Sequence, residues 1–93
     1  MEFEWDGAKA AANMVNHGVS FEFAVTAFND VFAVEWLDER EDYGEDRFLF
    51  LGMAEGSILL FVAYTERNGR MRIISARRAA QHEQDDYFRQ NSH

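Results

Sequence analysis

The Asn-Gly dipeptide at positions 68–69 is the feature that most constrains the fold of this 93-residue chain. It lies between two β-prone segments, and it is a strong signal for a two-residue type I′ turn, in which both central residues adopt positive φ. Such a turn fixes the register of the hairpin, and side chains alternate along each strand. The sequence therefore predicts that Thr65 and the three arginines nearest the turn share one face. The predicted register pairs Arg67 with Arg70, Glu66 with Met71, Thr65 with Arg72 and Tyr64 with Ile73.

Arginine is concentrated around this hairpin. Five of the nine basic residues lie within residues 65–87, although the chain has a formal net charge of −8. Arginines directly opposite each other on neighbouring strands are destabilising. A cluster of this kind indicates an anionic partner. Its members are Arg67, Arg70, Arg72, Arg77 and Arg78.

Length and composition indicate one domain, residues 1–93, with an apolar fraction of 47% that suffices for a core. The chain has no cysteine, so disulfides and cysteine-based metal sites are excluded. The longest apolar run, Ile58 to Tyr64, is too short to span a membrane, and the acidic N-terminus does not resemble a signal peptide. We expect a cytoplasmic protein that does not contact membranes.

Hydrophobic periodicity divides the chain into strands and helices. Asp6 and Ser20 are suited to cap two successive helices, and Gly18 is suited to end the first in a left-handed conformation. The pattern predicts an α+β domain, in which an antiparallel sheet of about four strands plus a short N-terminal strand packs against an N-terminal helical hairpin and a C-terminal helix. The predicted strands are Met1–Trp5, Val31–Leu37, Arg47–Met53, Ser57–Thr65 and Met71–Ser75; the second and last helices span Phe21–Phe28 and Ala76–Arg89.

An ordered series of motifs runs along the chain: FEWD at residues 3–6, KAAAN at 9–13, HGVSFEFA at 17–24 and YTERNGRMRIISARRA at 64–79, followed by Glu83 and Tyr87. This series resembles the BrnT toxins of bacterial type II toxin-antitoxin systems. The resemblance implies a RelE-like fold and a compact, metal-independent endoribonuclease without a cofactor, which stops translation by cleaving RNA. It also implies a BrnA-type antitoxin with a ribbon-helix-helix domain, through which alone DNA is bound, and a homodimer or a heterotetramer of two toxins and two antitoxins.

RNA cleavage without a metal needs a base for the 2′-hydroxyl, donors for the phosphate oxygens and an acid for the leaving oxygen. Arginine suits the phosphate, because its planar fork is always charged and binds two oxygens. We predict Arg72 and Arg77 as the catalytic phosphate clamps, with His17 as acid or base, because the histidine side chain as a type exchanges a proton near neutral pH. The predicted supporting phosphate-binding residues are Arg47, Arg67, Arg78, Thr65 and Ser75.

Each of these residues has a structural alternative. The arginines can pair with some of the seventeen acidic residues or cover the sheet with their stems. His17 can complement a helix C-terminus, and the hydroxyls of Thr65 and Ser75 can be bound by neighbouring residues. The acidic loop 38–46 lacks the pattern of a calcium loop, so we predict no metal site.

The net charge also supports a second function. A charge of −8 opposes the approach of RNA. The alternative prediction is a catalytically weak or inactive toxin homologue that binds an antitoxin and takes part in regulation of its operon.

Overall fold

One mixed sheet of five strands forms the centre of the computed structural model, which describes residues 1–92. The strands are β1 (Glu2–Trp5), β2 (Val34–Leu37), β3 (Arg47–Ala54), β4 (Ile58–Arg67) and β5 (Arg70–Arg78). Their order in the sheet is β1-β5-β4-β3-β2, with β1 parallel to β5 and the other neighbours antiparallel. The prediction of four antiparallel strands and a short N-terminal strand is confirmed.

The β4–β5 hairpin has the predicted turn and register. Asn68 and Gly69 have φ of 53° and 77°, as a type I′ turn requires. All four predicted residue pairs, from Arg67 with Arg70 to Tyr64 with Ile73, are present. Beyond them the register shifts, because Ala63 pairs with Ser75. Ile74 is thus an extra residue, a β-bulge that reverses which face the following residues of β5 point to.

The first helix begins and ends where the sequence predicts, and the second begins where the sequence predicts. Helix α1 (Gly7–His17) begins after Asp6, whose side chain accepts a hydrogen bond from the Ala8 N–H, and ends at Gly18 with φ of 67°. Helix α2 (Phe21–Val25) is capped by Ser20, which accepts from the Phe23 N–H. It is shorter than predicted, because residues 26–29 form a 3-10 turn.

The helical hairpin packs on one side of the sheet, which we call the helical face. Phe21, Ala24 and Ala27 contribute no exposed surface, and they pack against Leu60 and Val62 of β4. Aromatic rings fill the rest of the core between the helices and the sheet. Phe28, for example, stacks on Phe50 with 4.2 Å between ring centroids. Gly52 permits the close approach of the 3-10 turn, since a Cβ there would lie 2.9 Å from the Ala27 carbonyl oxygen.

Two predicted boundaries are wrong. The segment from Ala76 to Ala80 is not helical: β5 extends to Arg78, and helix α3 spans Gln81–Gln90. Ala76 is fully buried opposite Val62, so pairing with β4 overrides the helical propensity of alanine. Strand β2 begins at Val34 rather than Val31, since Asp30 accepts a hydrogen bond from the Phe32 N–H and forms a turn there. Among residues 1–92, no helix has the length and apolar character needed to cross a membrane.

Asn13 joins α1 to the sheet. β1 pairs with β5 only as far as Ile73, so the backbone of Ala76 lies at an open edge. Asn13 satisfies the hydrogen-bonding groups of this edge. Its side-chain amide donates to the Ala76 carbonyl at 2.8 Å and accepts from the Ala76 N–H at 3.1 Å. The same amide nitrogen donates to the Val19 carbonyl at 2.8 Å. Asn13 is 5% exposed, so these hydrogen bonds have little competition from water.

We expect Asn13→Ala to lower the free energy of unfolding by about 2–4 kcal/mol, because it leaves buried backbone groups without partners. Urea denaturation at constant m value measures this change. The matched control is Asn16→Ala on the exposed side of the same helix, for which we expect a change within about 0.5 kcal/mol. Equal effects of the two substitutions would contradict the role assigned to Asn13.

Candidate functional site

Five arginines lie on the side of the sheet opposite the helical hairpin. Directly paired residues of adjacent strands point to the same side. Thr65 pairs with both Arg47 and Arg72, and Phe61 pairs with Arg77. Since Phe61 and Thr65 are four residues apart on one regular strand, all these side chains share a face. We call it the arginine face; its arginines are Arg47, Arg67, Arg70, Arg72 and Arg77.

The bulge at Ile74 is responsible for the position of Arg77. Without an extra residue, Arg77 would follow the alternation of Ile73 and point to the helical face. With it, Arg77 and Ser75 return to the face that carries Arg72. The structure thus brings together Arg72 and Arg77, the two predicted phosphate clamps.

Carboxylates neutralise the arginines near the hairpin turn. Arg72 Nη1 lies 2.7 Å from Glu4 Oε2, and Arg70 lies 3.9 Å from the other Glu4 oxygen. Arg70 Nε also lies 3.4 Å from a carboxylate oxygen of Glu2. Both acids come from β1, whose parallel register sets Glu2 beside Arg70 and Glu4 beside Arg72. The Arg72–Glu4 pair remains open to ligands, because its two side chains are 29% and 27% exposed.

Glu45 binds two arginines from the other side of the face. Arg67 donates two hydrogen bonds to one Glu45 oxygen, at 2.9 and 3.2 Å. These bonds, together with the charge of Arg47, hold the pKa of Glu45 below its ordinary value. Arg47 Nε lies 3.5 Å from Glu45 but is buried without a hydrogen-bond partner among residues 1–92. The guanidinium of Arg47 also lies 4.1 Å from the ring centre of Tyr43, which fixes its plane.

Arg77 is held more tightly than the other arginines. Its two terminal nitrogens bind the two Glu83 oxygens at 2.7 and 2.8 Å, and its guanidinium lies 4.3 Å from the ring centre of Phe61. Burial raises the pKa of Glu83, but hydrogen bonds from Arg77 and from the Ala80 N–H outweigh it, and the pKa lies below its ordinary value. Glu83 belongs to the first turn of α3, so Arg77 links the arginine face to that helix.

Two of the predicted site residues, Arg78 and His17, do not join the arginine face, and a third, Thr65, lies on it but is buried. The Thr65 hydroxyl donates to the Asp46 carbonyl at 2.6 Å and Thr65 is 1% exposed, so its proton is unavailable to a phosphate. Arg78 pairs with Leu60, whose side chain belongs to the core of the helical face. His17 is exposed at the end of α1, the helix packed against the helical face, and it matches its structural alternative at a helix C-terminus. Ser75 remains on the arginine face, half-buried opposite Ala63.

Sequence reasoning did not identify the acidic members of the site. Glu4, Glu45 and Glu83 come from a strand, a loop and a helix that are far apart in sequence. The alternation of Glu2 and Glu4 between apolar residues was a usable signal for one acidic face. It did not indicate which strand β1 would join.

A second buried contact holds α3 against the sheet. The Tyr87 hydroxyl donates to Asp30 Oδ2 at 2.6 Å, and the Met53 N–H donates to the same oxygen at 2.8 Å. Burial raises the pKa of Asp30, but the hydrogen bonds from Tyr87, Met53 and Phe32 outweigh it and lower the pKa below 3.8. Burial and the bond to Asp30 raise the pKa of Tyr87 to about 12.

The fold is shared with a solved ribonuclease toxin. The structure matches the 1.1 Å crystal structure of the Brucella abortus ribonuclease toxin, BrnT, with a TM-score of 0.63. The match covers 87% of this chain and 99% of that chain at 24% sequence identity. The α+β arrangement of five strands and three helices is thus that of a BrnT toxin.

Residues 5–83 match the family described as the ribonuclease toxin, BrnT, of type II toxin-antitoxin systems. The chain therefore belongs to this family, which confirms the resemblance found in its motifs. Membership of a type II toxin-antitoxin family implies an antitoxin as partner. No curated protein sequence matches the chain.

We expect Tyr87→Phe to lower the free energy of unfolding by about 1–3 kcal/mol at neutral pH, because a hydrogen bond to a charged carboxylate is lost. The folded-state pKa of Asp30 is depressed, so the contribution of its ionised form is present above its ordinary pKa and is lost as the pH falls through the folded-state value. The difference in free energy of unfolding between wild type and Tyr87→Phe should therefore become smaller below about pH 4. Denaturant titrations at several pH values measure it, and a difference that stays constant down to pH 2 would contradict the assignment.

Proposed function

We propose that this chain is a metal-independent endoribonuclease that cleaves cellular RNA and thereby blocks translation. The observation that carries the proposal is the arginine face, where Arg72 and Arg77 project from the same side of one strand. Family membership supports the ribonuclease class. The chemistry assigned to each side chain is our own inference.

The carboxylates on the arginine face occupy the positions that phosphate oxygens would take. Arg77 holds Glu83 through two parallel hydrogen bonds, the geometry in which arginine also binds phosphate. We propose that an RNA phosphate displaces Glu4 from Arg72 and contacts the partly exposed side chain of Arg47. These donors then stabilise the extra negative charge that forms on the phosphate oxygens in the transition state. Arg67 and Ser75 lie on the same face and supply further contacts to the RNA backbone.

Glu4 is our candidate for the general base. It is the carboxylate within 4 Å of both Arg70 and Arg72, so a phosphate bound by these arginines would place a 2′-hydroxyl near it. Displacement from Arg72 frees a Glu4 oxygen to accept the hydroxyl proton. The 2′-oxygen then attacks phosphorus to form a 2′,3′-cyclic phosphate, the bond to the 5′-oxygen breaks, and the leaving 5′-oxygen takes a proton from water. His17 was the candidate predicted from the sequence; we prefer Glu4 because it contacts two arginines of the arginine face directly.

We propose that the antitoxin is of the BrnA type, with a ribbon-helix-helix domain that alone contacts DNA. Two toxins and two antitoxins would form the complex, because ribbon-helix-helix domains are dimeric. An antitoxin that covers the arginine face would block RNA binding directly.

One observation favours a second candidate function, an antitoxin-binding homologue with weak or no catalysis. Every arginine on the arginine face has a carboxylate oxygen within 4 Å, and the chain carries a formal charge of −8. RNA binding must therefore displace internal partners as well as overcome general repulsion. In this case the chain binds its antitoxin and acts in operon regulation.

Expression of the chain alone separates the two candidates. We expect wild type to arrest growth and bulk translation, and the double substitution Arg72→Ala with Arg77→Ala to relieve the arrest, because two phosphate ligands are lost. Loss of one such donor lowers a reaction rate about 10²–10³-fold. Growth, incorporation of labelled amino acids and RNA cleavage in a metal-chelating buffer are the measurements.

The matched control is Arg89→Ala, which removes an exposed arginine of α3 and leaves the arginine face intact. Circular dichroism must show that the double variant folds, because loss of Arg77 leaves the Glu83 carboxylate unpaired. No arrest by wild type at an equal soluble level would reject the toxin function in that host and support the second candidate. Cleavage only in the presence of added divalent metal would reject the metal-independent mechanism.

We expect Glu4→Gln to lower the cleavage rate about 10²–10⁴-fold, because an amide cannot accept the 2′-hydroxyl proton. Glu2→Gln is a close control, since Glu2 lies on the same strand and the same face but contacts only Arg70. Equal activity of the Glu4→Gln variant and wild type would exclude Glu4 as the base without affecting the arginine assignments.

A further inference from the structure

The outer edge of β2 is an open site for strand addition. β2 is the last strand of the sheet on its side. The Asp38 N–H donates to the Arg47 carbonyl at 2.7 Å, which makes this a hydrogen-bonded pair of the antiparallel ladder. Hydrogen-bonded and non-hydrogen-bonded pairs alternate along an antiparallel ladder. The backbones of Trp36 and Val34 therefore also bond to β3, whereas Glu35 and Leu37 direct their N–H and C=O groups away from it. These outward groups are a template for another strand.

Apolar side chains accompany this edge. Four of the eight large hydrophobic residues that are exposed among residues 1–92 fall in the seven positions from 31 to 37. Exposed edge strands usually carry charge, proline or a bulge that prevents pairing, and β2 carries one such residue, Glu35, between apolar neighbours. Contiguous exposed apolar surface marks an interaction site. The four residues are Val31, Phe32, Trp36 and Leu37, at 88%, 58%, 40% and 42% exposure.

Charge determines which partner this edge suits. The loop that follows β2, residues 38–46, contains six acidic residues and a single arginine. That arginine, Arg40, is occupied by Asp38 through two hydrogen bonds of 2.8 Å, and Tyr43 also donates to Asp38 at 3.0 Å. These hydrogen bonds fix the conformation of the first part of the loop. Glu39, Glu41 and Asp42 remain exposed beside the edge. A second copy of this chain would bring another net charge of −8 and the same acidic loop to the contact, which is repulsive.

We propose that the antitoxin adds an extended segment to the outer edge of β2, with apolar residues over Trp36 and Leu37 and lysine or arginine against the acidic loop. This inference rests on the antitoxin partner of the proposed function. The main-chain hydrogen bonds to Glu35 and Leu37 supply affinity, and the alternate side chains and the basic residues supply specificity. Trp36 pairs with Leu49, which lies opposite Ala63 on the side of the sheet that carries the arginine face, and its ring centre lies 6.0 Å from that of Phe61. An antitoxin bound at this edge would therefore lie beside the groups assigned to RNA.

The first test is hydrogen exchange of the full chain, alone and in complex with the antitoxin encoded beside it. The amides of Glu35 and Leu37 should exchange readily in the free chain and become protected in the complex, whereas those of Val34 and Trp36 should be protected in both. Complex formation without protection of Glu35 and Leu37 would overturn this inference but not the antitoxin partner. No complex with wild type would overturn both.

The second test compares two substitutions at one position. Leu37→Ala removes the apolar side chain and keeps the outward N–H, whereas Leu37→Pro also removes that N–H, which no bond within the sheet uses. We expect Leu37→Pro to bind the antitoxin at least about tenfold more weakly than Leu37→Ala, the effect of one main-chain hydrogen bond. Val15→Ala on the exposed side of α1 should bind as wild type does, and unfolding curves verify each variant.

Equal affinity of the Leu37→Pro and Leu37→Ala variants would overturn the proposed strand addition. Analytical ultracentrifugation of the chain alone tests whether a second copy of the chain occupies this edge instead. A homodimer that Leu37→Pro dissociates would assign the edge to a second copy of the chain and overturn the proposal. A monomer at micromolar concentration, combined with amide protection in the complex, would support it.

Discussion

The extra residue at position 74 is the constraint on which the arginine face depends. A strand presents alternate residues to each side, and without the bulge Arg72 and Arg77 would face opposite sides of the sheet. The bulge lets Ile73 and Ala76 both enter the core of the helical face while Arg72 and Arg77 both leave it. Core and candidate site therefore share a single irregularity of β5. A change that stabilised a regular strand there would bury a guanidinium or expose the apolar core.

Placement of several arginines on adjacent strands is unfavourable unless anions lie between them. The chain provides these anions from three elements: β1 on one side, the acidic loop on the other, and α3 at the end of β5. At neutral pH the pairs keep the unliganded face from accumulating positive charge. They also set a threshold for any ligand, which must bind the guanidinium groups better than the internal carboxylates do. A polyanion satisfies that condition through several phosphates acting together.

Local rules predicted much of this architecture, and contacts between distant segments account for what they missed. The turn at 68–69, the caps at Asp6 and Ser20 and the left-handed Gly18 depend on neighbouring residues only, so sequence was sufficient for them. The strand character of Ala76 and Arg77 depends on pairing with β4, and alanine alone favours a helix. The acidic partners depend on the location of β1 in the sheet, which no local pattern encodes. For the same reason the arginine cluster was visible in the sequence, whereas the separation of His17 and Arg78 from it was not.

The pair formed by Glu4 and Arg72 closes a loop of 68 residues. Contacts at such separation form late in folding, because the entropy of loop closure must be overcome before they can stabilise the structure. During synthesis, Glu4 leaves the ribosome long before Arg72 exists. The combination of acid and arginine on one surface therefore arises only when the sheet is nearly complete. Partially made chains that end before Arg72 lack the surface assigned to RNA.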